Sequence, residues 1–271
     1  GSERWKSVIA DALLAATGLQ RLYERSDAGV RTLEGLPAHS GWLRGGGDTQ
    51  LIIREHDAQL LVDVAQGHKT GTYLDQRDNR RHFAQAVRHY GCAEVLNCYS
   101  YTGGFSLAAL VGGAQRVTSV DSSAPALALA RQHVQINGFD AARHDTLDAD
   151  VNATLRAQLE QGRRYDAIVL DPPKFAATAA QAERAARAYK DINRLGLKLL
   201  RPGGLLFTFS CSGGIGPDLF QKIVAGAGHD AGVDALILQR LAAACDHPSP
   251  HEGVPSGSRP MPGRDSHLQS Y

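Results

Sequence analysis

With 271 residues the chain can bury one large core, or one domain plus a small appendage. Hydrophobic and charged shares of 43% and 21% are ordinary for a globular protein, and no run of about 18 apolar residues is present to form a membrane-spanning helix. A formal net charge of +1 excludes a globally basic nucleic-acid binder, so any surface for a polyanion must be local.

Four cysteines, Cys92, Cys98, Cys211 and Cys245, form neither a C-x-x-C pair nor a small disulfide framework, which fits a reducing, cytoplasmic compartment. Cys245, His247 and His251 lie close together but lack a fourth ligand, so no metal is expected. Gly1-Ser2 has the look of a cloning remnant rather than a targeting signal.

Taken in order, residues 1–18 predict an amphipathic helix, with Trp5, Val8, Ile9, Ala12 and Leu13 at helical spacing and Gly18 as its stop. Residues 19–74 change to short alternating runs and turns and predict a small β domain. Within it, Leu51–Glu55 and Gln59–Val64 flank a hairpin turn, and Gly41–Asp48 is expected to be a flexible loop. A helix then runs to His89 or Tyr90, with Asp75 as its N-cap and Arg77, Arg80, Arg81 and Arg88 on its exposed side.

Residues 75–245 carry the main domain. Glu94–Cys98 reads as a buried strand that leads through Gly103-Gly104 into a helix, and Arg116–Asp121 reads as a second strand. An acid at the tip of strand two suits the two hydroxyls of a ribose. The turn lacks the full G-x-G-x-x-G spacing, which argues against a nicotinamide dinucleotide and for another adenosine-type cofactor. A helix from Ser122 to Asn137, a weak strand before Asp148, a short helix from Val151 and a clear strand Tyr165–Asp171 follow. A long helix from Ala180 to Leu200, a strand Leu205–Phe209, a helix Pro217–Ala227 and a strand near Ala235–Leu238 complete the pattern. This cadence predicts an α/β fold with a doubly wound, mostly parallel sheet. Gly103, Asp121, Asp150, Asp171 and Cys211 then converge on the carboxyl ends of the strands, where such sheets bind ligands. On the long helix Arg184, Arg187, Lys190, Arg194, Lys198 and Arg201 share a stripe that suits a polyanionic substrate, or else an ordinary solvated face. Residues 246–271 read as an irregular tail.

Asp121, Asp171-Pro172-Pro173-Lys174-Phe175 and Ser210-Cys211-Ser212 together resemble a class I S-adenosylmethionine-dependent methyltransferase. More narrowly, Thr70–Arg77 with Asn97–Phe105 resembles the bacterial 23S rRNA cytosine-C5 methyltransferases, over about Gln20 to His247. Members of that family carry a PUA domain and a small β "EEHD" domain ahead of the catalytic domain. No PUA-like segment is read here, and the expected Glu-Gly-x-Tyr-Leu-Lys continuation of the tail is replaced.

The resemblance implies S-adenosylmethionine as cofactor and RNA, 23S rRNA in particular, as partner, with no membrane and with the oligomeric state left open, a homodimer included. It implies a cofactor site formed by Thr70, Tyr73, Asp75, Gln76, Arg77, Asn97, Tyr99, Gly103, Phe105, Asp121, Ser122, Asp150, Asp171 and Pro172. Cys211 would be the nucleophile and Asp171 a catalytic partner. Lys174, Phe175, Arg184, Arg187 and Arg194 would meet the substrate. A guanine-N7 rRNA methyltransferase shares the Asp-Pro-Pro turn but needs no cysteine. An RNA-binding protein that has lost catalysis is the reading from another class.

Overall fold

The computed structural model describes residues 2–26, 29–67, 71–175 and 179–246. Thr70, His247, His251 and all but Asp246 of the expected tail lie outside them.

The helix expected at the start is α1 (Lys6–Thr17), closed by Gly18 in the left-handed conformation. The following region contains two separate two-stranded sheets rather than one small sheet. In the first, β1 (Leu22–Ser26) and β2 (His39–Arg44) pair antiparallel, with the single-turn α2 (Val30–Leu33) between them. The loop expected from Gly41 is therefore strand as far as Arg44. Edge-to-face packing of Tyr23 on Trp42, with ring centroids 5.1 Å apart, staples the pair across a stretch whose glycines had disguised it. The second sheet is the expected hairpin, β3 (Gln50–Glu55) and β4 (Ala58–Asp63).

The hairpin is built into the main domain. Leu60 and Val62 are buried against Leu107, Asn137 exchanges hydrogen bonds with the Gln59 backbone, and the buried His133 ring spans the carbonyls of Leu61 and Thr102.

The main domain alternates α3 (Arg77–Tyr90), β5 (Glu94–Cys98), α4 (Gly104–Gly112), β6 (Arg116–Asp121), α5 (Ala124–Ile136), β7 (His144–Asp148), α6 (Val151–Glu160), β8 (Tyr165–Leu170), α7 (Ala182–Leu199), β9 (Leu200–Thr208) and α8 (Pro217–Ala231). Its five strands are all parallel, in the order β7-β6-β5-β8-β9. The order reverses between β5 and β8, and this is where an open α/β sheet binds its ligand. Side chains alternate between two cores. Leu96, Cys98, Ile168 and Leu170 join Leu155, Tyr189, Ile192 and Leu199 on one face, while Val95, Ala167 and Val169 join Phe83, Phe105 and Ala109 on the other. Strands buried on both faces read as the unbroken apolar runs seen in the sequence.

Three local expectations change. Asp75 does not cap α3, because a 3-10 turn over Leu74–Gln76 places Gln76 at the cap position. Arg201–Gly204 interrupts the pairing of β9 with β8 as a bulge instead of preceding the strand. The strand expected over 235–238 is not formed: that segment is irregular, with Leu236 88% exposed. A strand is stable only where its amides find partners, and periodicity does not encode them.

A buried polar chain threads the second core. Asn97 donates to Ser106 (2.9 Å), Ser106 meets Ser119 (2.6 Å), and Ser119 meets His144 Nε2 (2.7 Å). Burial pulls the His144 pKa down from 6.5 to about 4, so the ring is neutral at pH 7. The unfolded chain then binds the extra proton between those values, and stability is lost as pH falls from about 6.5 toward 4. We predict that acidification from pH 7.5 to 4.5 destabilises His144→Asn less than wild type, by on the order of 2 kcal/mol in urea titrations; equal losses would remove His144 as a source.

Candidate active site

The carboxyl end of β5 enters a backbone that L-residues avoid: Tyr99, Tyr101 and Gly103 have φ of 57°, 47° and 75°. Left-handed conformation costs a residue with a side chain about 1–2 kcal/mol. Asp121, at the tip of β6, offsets that cost. Its Oδ2 accepts the Tyr101 amide (2.7 Å) and its Oδ1 accepts the Ser123 amide (3.0 Å). A hydrogen bond to a charged group stabilises by roughly 1.5–3 kcal/mol.

Gly103 is required by packing as well as by φ, since a Cβ there would stand 2.7 Å from Ala130 Cβ of α5. A Cβ on Gly104 would meet Arg80 Cδ at 2.9 Å.

Arg80, expected on the exposed basic side of α3, is buried instead. It forms two 2.6 Å hydrogen bonds to Glu55 at the hairpin tip and donates to the Tyr73 carbonyl (3.0 Å). Tyr73 in turn packs edge-to-face on Tyr101, with ring centroids 5.4 Å apart. The hairpin therefore reaches the strained turn through the Arg80 guanidinium as well as through the His133 ring. Burial, then the neighbouring Tyr101, Asp171 and Cys211, push the Tyr73 phenol up.

After β8 the chain runs Asp171-Pro172-Pro173-Lys174-Phe175. Gln76 donates to Asp171 Oδ1 (3.1 Å) and is itself held by Asn79 (2.7 Å), so α3 orients this carboxylate. After β9, Cys211 is exposed and its thiol faces the Pro172 carbonyl at 3.7 Å. Cys98 is fully buried, and desolvation drives its thiol pKa up strongly; burial also raises that of Cys92. Only a thiolate is a strong nucleophile. Both of these buried cysteines pack as apolar side chains, as their sequence positions suggested.

The carboxyl edge thus collects Tyr73, Gln76, Tyr99, Gly103, Asp121, Asp171, Pro172, Phe175 and Cys211. Ser122 is exposed beside Asp121, and Asp150 is exposed while capping α6 through the Ala153 amide (2.8 Å). The expected site residues Asn97 and Phe105 lie in the core, Asn97 against Ser106 and Phe105 against Phe83 and Phe209. Arg77 is engaged by Asp78 and by both carboxylate oxygens of Asp246, and the Asp75 carbonyl accepts the Ala244 amide.

The basic stripe of α7 is largely neutralised: Arg187 pairs with Glu183, Lys190 with Asp230, Arg194 with Asp191 and Arg201 with Asp166. From Arg184 to Lys198 the stripe on α7 extends ~21 Å, so only its first turns reach the carboxyl edge. Lys174 and Arg184 are exposed there, and Arg194 is not beside them.

Among the described residues no His, Cys, Asp or Glu cluster is placed to hold a metal ion, and no helix is long and apolar enough to cross a membrane. The edge fits an adenosine-type ligand. Asp121 is oriented by two amides, and a carboxylate has about four acceptor positions, which leaves room for ribose hydroxyls.

A family model described as S-adenosylmethionine-dependent methyltransferase matches residues 35–249. The chain belongs to this family. Among solved structures, it superposes on a SAM-dependent methyltransferase assignment from Streptococcus mutans with TM-score 0.69 and 26% identity, over 84% of this chain and 57% of that one. It also matches a methyltransferase structure complexed with SAH at TM-score 0.62 and 31% identity, over 69% of this chain and 49% of that one. Curated relatives named "Ribosomal RNA large subunit methyltransferase I" are 50% identical over 248 residues in Alteromonas mediterranea, and 47% identical over 252 residues in Vibrio cholerae. Both alignments cover 92% of this chain, which spans 62% and 63% of those relatives' lengths.

The five-stranded parallel sheet is that of the class I methyltransferase fold. Several residues that shape its site escaped sequence reading. Glu55, Asn79, Arg80, Tyr101 and Tyr189 act through partners 3 to 25 residues away. Only Tyr189, three residues before Ile192 on the apolar side of its helix, carried a signal of burial.

Removing one partner of a buried ion pair costs about 3–5 kcal/mol. Glu55→Ala is therefore expected to lower unfolding stability by that amount in urea titrations, although Glu55 lies outside the main sheet; a loss below about 1 kcal/mol would show that the pair is not buried in solution.

Proposed function

We propose that this chain methylates carbon 5 of a cytosine in 23S rRNA, with S-adenosylmethionine as donor and Cys211 as nucleophile. One observation carries the reading: an exposed thiol, Cys211, lies at the carboxyl end of β9 against the turn that follows Asp171, while Cys92 and Cys98 are buried. The large-subunit rRNA methyltransferase names of the relatives supply the substrate class.

Asp121 is assigned to the ribose hydroxyls and the remaining oxygen of Asp150 to the adenine amino group. Tyr73, Asp75, Gln76, Tyr99, Gly103, Ser122 and Pro172 are assigned to the rest of the cofactor cradle. When bound, S-adenosylmethionine supplies an electrophilic methyl group.

Carbon 5 of cytosine is too weak a nucleophile to accept that methyl unaided. The Cys211 thiolate adds to carbon 6, a sulfur–carbon bond forms, and the electron pair of the carbon 5–carbon 6 double bond becomes available at carbon 5. Asp171 hydrogen-bonds the ring and stabilises this adduct. Carbon 5 takes the methyl and loses its proton, and the double bond re-forms as the thiolate leaves. Lys174 and Phe175 hold the base, and Arg184 and Arg187 contact RNA phosphates near the edge.

Two measurements test this. Asp121→Ala is expected to weaken S-adenosylmethionine binding at least about 100-fold by calorimetry, since two hydrogen bonds to a charged group are lost; unchanged affinity would place the ribose elsewhere. With 5-fluorocytosine RNA the fluorine blocks the final elimination, so wild type should form a covalent protein–RNA adduct and Cys211→Ala none. Methylation without an adduct, or an adduct in Cys211→Ala, would sink the proposed nucleophile.

A further inference from the structure

Cys211 is followed by a serine that is anchored in the core. Ser212 is buried, whereas Cys211 is exposed. Beneath them lies Tyr189 of α7, with no exposed surface. Its hydroxyl meets Ser212 Oγ at 3.0 Å.

Ser212 Oγ also accepts the Phe175 amide at 3.0 Å. One buried tyrosine thus ties the cysteine turn to the turn that carries Asp171 and Phe175. Phe175 packs on the Tyr189 ring at 4.8 Å between centroids, and Phe220 of α8 packs on it at 5.4 Å. Burial, together with the nearby Cys211 and Asp171, keeps the Tyr189 phenol protonated, so it can act as a hydrogen-bond donor at neutral pH.

We propose that Tyr189 is a positioning residue, which through Ser212 sets Cys211 at attacking distance from the substrate carbon held against the Asp171 turn. The inference rests on Cys211 being the nucleophile. Productive attack requires reacting atoms at about 3–3.5 Å, and a misplacement near 1 Å can cost about 100-fold in rate. The tyrosine ring is fully buried between Phe175 and Phe220, so removing only its oxygen leaves the core filled.

The test compares wild type, Tyr189→Phe and Ser212→Ala in the full chain. Adduct formation is followed with a 5-fluorocytosine fragment of large-subunit rRNA in the presence of S-adenosylmethionine. S-adenosylhomocysteine affinity and the pH profile of Cys211 alkylation by iodoacetamide are measured on the same proteins. The expected result is an adduct rate lowered at least about 10-fold in both variants. Cofactor-product affinity and the alkylation profile should be unchanged, because thiol position and not thiolate supply has been altered.

An adduct rate within twofold of wild type in folded Tyr189→Phe overturns the positioning role alone. A parallel loss of S-adenosylhomocysteine affinity also overturns it, by showing general disruption of the site. Should Tyr189→Phe fail to fold, Ser212→Ala carries the comparison by itself. No adduct in wild type overturns the nucleophile reading and the positioning role together.

Discussion

The carboxylate of Asp121 is the interaction on which the ligand-binding edge depends. Three residues after β5 adopt left-handed backbone, and two of them carry aromatic side chains that make this conformation costly. A charged acceptor on the Tyr101 amide is strong enough to outweigh one such residue. The same carboxylate also fixes the entry to α5 through the Ser123 amide. One side chain at the tip of β6 therefore sets the path of the turn after β5, where the strand order reverses, and leaves acceptor capacity for a ribose. The structural role and the proposed ligand role are compatible because one carboxylate has more acceptor positions than the two amides occupy.

Around that edge the molecule is braced from two sides. The β3–β4 hairpin reaches it through Glu55 and Arg80, whose guanidinium also holds the Tyr73 carbonyl and lies over Gly104. The far side is braced by α7 through Tyr189 and Ser212, the residue after Cys211. The β3–β4 hairpin contributes its buried apolar face to α4 and its acid to Arg80, so it braces the carboxyl edge of the sheet. Buried polar groups are expensive unless paired, and here the pairing is what links remote elements to the edge.

Where RNA would bind is narrower than the charge pattern of α7 suggests. Most of the basic stripe meets acids contributed by α7 itself, α8 and β8, and exposed pairs of this kind contribute little to stability while lowering the field available to a polyanion. Lys174 and Arg184 remain exposed at the carboxyl edge. The exposed basic charge named at this edge thus lies beside the candidate nucleophile, where the proposed substrate strand would pass.

The sequence by itself determined the elements whose signals are local. The buried strands Glu94–Cys98, Arg116–Asp121 and Tyr165–Leu170 appeared as apolar runs ended by Gly or Asp, and helix ends appeared at Gly18, Gly91 and Gly138. Because parallel strands deliver their tips to one edge, those local endings also pointed to the candidate site. The β1–β2 pair stayed hidden, since its glycines read as loop and its partner lies about 20 residues away. Only the tertiary structure decided that Arg80 is buried on Glu55, that Lys190 is paired with Asp230, that Asn97 faces the core, and that Tyr189 underlies Cys211. These are partnerships between elements, governed by strand order and helix rotation. Hydropathy period and turn chemistry record a residue's own face and not the identity of what it meets there.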